Sequence, residues 1–166
     1  MSRIGTDIVA AVSGAHQDAA TAGEERKRRK RSADALAQVP LLSALSRRHL
    51  HQLADVSQIT AYRQGTSVIR EGDLGSTLYV IVEGQAVVSR GGKRLTTLAP
   101  GDFFGEVSLL DGGPRTASVT AETRLSVVRL FRRPFYELVR TEPAIGVKVL
   151  SELAKRVRRV DRAVRG

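Results

Sequence analysis

The stretch GDFFGEVSLLDGGPRTASVTA, Gly101 to Ala121, holds one glutamate, Glu106, and one arginine, Arg115, nine residues apart in a run of mostly small and apolar residues. A buried arginine keeps its proton, and a buried carboxylate is costly unless paired, so both side chains need partners. They can pair with each other inside an ordinary β-roll, or each can be held for a separate group on a ligand. A bare buried ion pair is a weak stabiliser, which favours the ligand.

On that reading the ligand is the cyclic phosphate and ribose of a nucleotide. Arg115 makes charge-assisted contacts to phosphate oxygens, and ionised Glu106 accepts the proton of the ribose 2′-hydroxyl. Gly105 has no side chain, so its backbone can approach the sugar. The segment EVSLL is expected to form a short helix whose first amides point at the anion. Ala117 and Ser118 leave room on the strand after Arg115.

Outward from this stretch the pattern is β-like. From Tyr62 onward SVIREGD, STLYVIVEG, QAVVSRGGKRLTTLAPGD, RTASVTA and RLSVVRLF are short runs broken by glycine, with Gly91 and Gly92 suited to a hairpin turn. Strands at this spacing predict a mainly β fold with flanking helices, a jelly-roll β-barrel. Before it, Leu42, Leu45, Leu50, Leu53 and Val56 fall at helical spacings, with Ser46 placed to cap the second of two short helices. After Pro134, FYELVRTEP reads as a short helix and AIGVKVLSELAKRVRRVDRAV as a long one. The expected domains are a basic N-terminal arm over 1–32, mobile or a frayed helix; the β-roll with its N-terminal helices over 33–143; and a C-terminal helix over 144–166.

FGEVSLLDGGPRTASV, Phe104 to Val119, resembles the phosphate-binding cassette of cyclic-nucleotide-binding domains, and REGDLGSTLYVIVEGQAVV resembles the β-roll segment preceding it in that family. The likeness extends over about residues 38–165. This family includes the catabolite activator protein and protein kinase A regulatory subunits. The resemblance implies cAMP or cGMP as ligand, with cAMP favoured, although Thr116 is also suited to a guanine edge. It implies a site of Gly105, Glu106, Val107, Ser108, Arg115, Thr116 and Ala117, with Glu106 on the ribose and Arg115 on the phosphate. Val160 and Asp161 fall where family members close a lid over the base. The family's transcription factors carry a helix-turn-helix after the long helix. This chain has no room for one, so a stand-alone, non-enzymatic sensor is expected.

The charge is unevenly placed. The formal net charge is +10, but RKRRKR (Arg26, Lys27, Arg28, Arg29, Lys30, Arg31) and the C-terminal KRVRRVDRAVR account for it, leaving the rest near neutral. Such blocks suit phosphate backbones or anionic surfaces, so a nucleic-acid- or ribosome-associated protein tuned by nucleotide stands as the alternative function. A solvated tail is the plainer reading of the same residues. Leu150, Leu153, Val157, Val160 and Val164 recur at 3,4 spacing, a seam that suits a homodimer as well as packing on the β-roll. Nucleotide binding is expected to favour a docked position of this helix, moving its basic face toward or away from a protein partner.

Several classes are excluded or disfavoured. With no cysteine there is no disulfide, thiolate metal site or cysteine nucleophile. His16, His49 and His51 form no metal set and read as surface residues, so no metal or other cofactor is expected. RGGKR lacks the remaining positions of a phosphate loop, and no serine sits in a nucleophile elbow. No apolar run is long enough to span a membrane and the N-terminus does not read as a secretory signal, so a cytoplasmic protein is expected.

Overall fold

Between Ser57 and Phe131 each short apolar run of the sequence becomes a strand, and the glycines between them supply the corners. The computed structural model describes residues 5–166, with side chains from residue 21 onward. Its strands are β1 (Ser57–Tyr62), β2 (Ser67–Ile69), β3 (Thr77–Glu83), β4 (Ala86–Arg90), β5 (Lys93–Leu98), β6 (Phe103–Phe104), β7 (Ser118–Ala121) and β8 (Leu125–Phe131). Among the described residues they build two antiparallel sheets, ordered β1-β8-β3-β6 and β2-β7-β4-β5. Gly91 and Gly92, at φ 56° and 76°, turn the β4–β5 hairpin. Paired positive φ values match the twist of the flanking strands. The result is the jelly-roll sandwich with flanking helices that the strand spacing predicts.

Strand β3 organises the interior. Successive strand residues point to opposite faces, and β3 is buried from Thr77 to Ile81. Leu78 and Val80, with Val128 and Leu130 of β8, belong to a core shared with helical residues that include Leu36, Leu53, Phe135 and Ile145. Tyr79 and Ile81, with Leu125 and Val127, face Ala86, Val119 and Ala121 of the other sheet. Burying each large aliphatic side chain contributes roughly 1.5–3 kcal/mol relative to exposure. One strand thus joins the helical layer to the sandwich.

The helices are α1 (Gly5–Leu36), α2 (Arg47–Asp55), α3 (Glu106–Asp111), α4 (Arg132–Thr141) and α5 (Pro143–Arg165), with a 3-10 turn over Pro40–Leu42. Ser46 caps α2 by accepting from the His49 amide at 3.2 Å. The sequence places the start of order near Ser32, but α1 runs through that point without a break, and Ser32, Ala33 and Leu36 are buried. Glu, Arg, Lys and Ala are all good helix formers, and the buried end anchors what a weak apolar pattern does not.

The basic block lies on this helix, and much of it meets carboxylates. Arg29 makes a two-pronged contact to Asp55 at 2.6 and 2.9 Å, Arg31 pairs with Glu83, and Arg28 pairs with Glu25. Arg29 and Arg31 therefore tie α1 to the body of the fold. At the other end, Leu153 packs toward the helical core while Val147, Leu150, Val157, Val160 and Val164 remain exposed. The 3,4 seam is thus divided, with Leu153 turned inward.

His49 and His51 are half-buried rather than on the surface, and His49 lies 3.8 Å from Glu142. The side chain of His16 lies outside the described residues. Among the described residues no group of His, Asp and Glu could hold a metal ion, and no helix is long and apolar enough to cross a membrane.

Candidate functional site

The local sequence shapes the site before any packing does. Gly105 adopts φ 83° between β6 and α3, and Gly112 adopts φ 66° at the end of α3, so a glycine sits at each end of this six-residue helix. The chain then passes Gly113 and Pro114, and Arg115 enters just ahead of β7. Hydrogen bonds from the Arg115 amide to the Asp73 carbonyl at 2.8 Å, and from the Gly72 amide to the Arg115 carbonyl at 2.9 Å, lock this segment to the loop before β3.

Gly105, Glu106, Val107, Ser108, Arg115, Thr116 and Ala117 all line one cavity of about 230 Å³. Every residue expected from the cassette is brought together there. Apolar walls come from Ile69, Val88, Leu98 and Val119, and Phe104 stacks on Tyr79 with ring centroids 4.7 Å apart. Arg115 also borders a second cavity of about 430 Å³, lined by residues that include Asp73, Gly75, Ser76 and Tyr79. Its side chain forms part of the wall of both.

Arg115 is 7% exposed, yet no carboxylate pairs with it among the described residues. Its Nη1 donates to the Thr77 carbonyl at 3.1 Å, and its guanidinium lies 5.8 Å from the Tyr79 ring centroid. Burial lowers the pKa of the group, with Tyr79 opposing that shift, but an arginine remains charged at neutral pH. Two glycines make the placement possible. A Cβ at Gly75 would overlap the guanidinium, and one at Gly105 would lie 2.6 Å from Nη1.

Glu106 takes a different partner. Its side chain is 15% exposed, and Oε1 accepts from Nη1 of Arg156 on α5 at 3.2 Å. The two charges that stand out in the sequence therefore do not neutralise one another. Glu106 is tied to the C-terminal helix, while Arg115 keeps its charge for the cavity.

Val160 and Asp161 do not line this cavity. Val160 is 58% exposed and Asp161 accepts from Arg165 at 3.1 Å, whereas Arg156 of α5 reaches Glu106 of the cassette. Sequence reasoning also passes over Gly75, Thr77, Tyr79 and Arg90. The last donates to the Thr116 carbonyl at 2.8 Å and lines the cavity. The one signal available for Gly75 was its place in GDLGSTLYV, where a glycine has no evident turn to make.

The pattern of the family described as "Cyclic nucleotide-binding domain" matches residues 59–142. The chain belongs to the cyclic nucleotide-binding domain family. This domain is 39% identical over 105 residues to the cAMP-dependent protein kinase regulatory subunit of Schizosaccharomyces pombe, covering 63% of the chain and 26% of that subunit. It is 35% identical over 127 residues to the Cyclic AMP receptor protein of Thermus thermophilus, covering 74% of the chain and 59% of that protein. Among solved structures, the N-terminal domain of a transcriptional regulator from Streptomyces coelicolor A3(2) superposes with a TM-score of 0.74 at 29% identity, covering 78% of this chain and 94% of that one. The domain thus spans only about a quarter of the regulatory subunit and under two thirds of the receptor protein.

Proposed function

We propose that this chain is a non-catalytic sensor that binds a cyclic nucleotide, cAMP in preference to cGMP, in the cavity between α3 and β7. The observation that carries this reading is Arg115: a nearly buried guanidinium, held over a cavity by Thr77 and Tyr79, with no carboxylate to neutralise it. Retaining an unanswered buried charge is costly unless an anion completes it. The phosphodiester of a cyclic nucleotide supplies that anion, and Glu106 on the same cavity accepts from the ribose hydroxyl. Preference for cAMP rests on the names of the relatives, a cAMP-dependent kinase regulatory subunit and a cyclic AMP receptor protein.

The Glu106–Arg156 contact gives the sensor a route to α5. A ribose hydroxyl donating to Glu106 competes with Arg156 for the same carboxylate, so ligand changes how firmly α5 is held. A lid formed by Val160 and Asp161 requires α5 to shift from the position described above. The exposed Leu150, Val157 and Val160 would then be the surface through which a second copy or another protein reads the change.

Calorimetric titration with cAMP and with cGMP tests the ligand. Saturable binding is expected with both, tighter for cAMP. No heat from either nucleotide, in folded protein freed of co-purified ligand, overturns the reading. Hydrogen exchange over residues 144–166, with and without cAMP, tests the output separately: altered protection is expected, and identical protection removes the route through α5 while leaving the site.

A further inference from the structure

Helices α4 and α5 are separated by a single residue. α4 ends at Thr141 and α5 begins at Pro143, and Glu142 between them closes one helix and opens the other. Its amide donates to the Leu138 carbonyl at 2.8 Å, and its carbonyl accepts from the Ile145 amide at 3.0 Å. Proline has no amide hydrogen and keeps the residue before it out of the helical region, and Glu142 stands at φ −127° and ψ 75°. The direction of α5 is therefore set at Glu142.

The carboxylate of that residue is held by a third helix. Arg48 Nη2 and Gln52 Nε2, both of α2, donate to Oε1 at 3.1 and 3.3 Å, and His49 Nε2 of the same helix lies 3.8 Å from Oε2. Turning the Gln52 amide nitrogen toward Glu142 leaves Gln52 Oε1 buried without a hydrogen-bond donor. A buried acceptor in that state is destabilising, so stability alone does not account for the grip.

Beyond the junction α5 has few anchors. Ile145 and Val149 are buried, Leu153 is half-buried, and every residue from Ala154 onward is exposed. Arg156 stands 13 positions after Pro143, about 20 Å along the helix, so a tilt of about 10° at the junction carries it about 3 Å. That displacement matches the whole length of its 3.2 Å contact to Glu106.

We propose that Glu142 is a positioning residue for the nucleotide site: held by α2, it aims α5 so that Arg156 rests on Glu106, and slackening that hold frees Glu106 for a ligand. The effect on affinity rests on the reading of Glu106 as the ribose acceptor, whereas the effect on α5 stands without it.

The test compares Glu142→Gln, Arg156→Gln and the double variant in the full chain. Without nucleotide, amides of residues 150–158 are expected to exchange faster in Glu142→Gln than in wild type while those of β3 and β8 do not, a pattern that a general loss of stability does not give. With cAMP, Glu142→Gln is expected to raise affinity by about threefold or more, within the range by which single residues alter coupling between sites. Arg156→Gln should raise it at least as much, and the double variant no further, because both changes act through one contact. Arg48 is exposed, so Arg48→Gln, which removes one donor, gives the same exchange readout if Glu142→Gln fails to fold. Wild-type protection of residues 150–158 in both Glu142→Gln and Arg48→Gln overturns the proposal. So does an effect of Glu142→Gln on affinity that persists undiminished in the Arg156→Gln background. If wild-type protein binds neither cAMP nor cGMP, the ribose role of Glu106 falls, and the exchange measurement alone decides whether Glu142 aims α5.

Discussion

Arg115 and the basic block Arg26–Arg31 are opposite uses of positive charge. The block is conspicuous in the sequence, yet in the fold Arg28, Arg29 and Arg31 face Glu25, Asp55 and Glu83 at exposed positions. Arg115 is a single residue, nearly buried, with a carbonyl and an aromatic ring for company. Exposed ion pairs contribute about 0–1 kcal/mol each because water screens them. A buried charge facing a cavity interacts far more strongly with whatever enters. The count of charges thus says less about function than the presence or absence of an internal partner.

The sharpest way to break this comparison is Arg115→Ala. It should weaken nucleotide binding by at least about a hundredfold, since removing one member of a desolvated charge pair has effects of that size; calorimetry reads the loss, and retained affinity would place the phosphate elsewhere. Next comes Gly105→Ala, which puts a side chain at positive φ and against the Arg115 guanidinium. It should cost about 1–3 kcal/mol in thermal or denaturant unfolding and displace Arg115. Wild-type stability would show that the close approach is relieved cheaply.

Glu106→Gln keeps the shape and removes the charge. Affinity should fall about tenfold, as a charge-assisted hydrogen bond becomes a neutral one. Amides near Arg156 should also exchange faster without nucleotide, because the contact that holds α5 to the cassette is weakened. The smallest effect belongs to the block: Arg29→Gln with Arg31→Gln should lower stability by no more than about 1 kcal/mol per pair, less at high salt, and leave nucleotide affinity unchanged. Affinity that drops as far as in Arg115→Ala would erase the distinction between the two regions.

What the sequence disclosed follows from how local each feature is. The cassette is one continuous segment, so Gly105 to Ala117 could be read in order, with Gly105 read as room for a sugar and not as room for the Arg115 guanidinium. Strands and hairpin corners were legible from glycines and a period of two for the same reason. The partners of the two charges were not. Thr77 lies 38 positions from Arg115 and Arg156 lies 50 from Glu106, distances that only the paired sheets and the return of α5 can close. Helix α1 escaped for a different reason: its apolar pattern is weak, and what fixes its end is tertiary, through Ala33, Leu36 and two long-range ion pairs. The divided seam of α5 is of the same kind, since nothing in the spacing of Leu153 marks it as the inward member.

Strand β3 sets a boundary condition on any response. Its outer residues are clamped by the helical layer and its inner ones by the opposite sheet, so Tyr79, which stands beside Arg115, has little freedom to yield. Close-packed interiors transmit strain in preference to absorbing it. Arg115 is thus backed by a stiff strand, while Glu106, at the start of a six-residue helix, is joined to α5 by the exposed Arg156. If ligand entry moves anything, as proposed above, the Glu106–Arg156 contact to the C-terminal helix is where this packing leaves it room to do so.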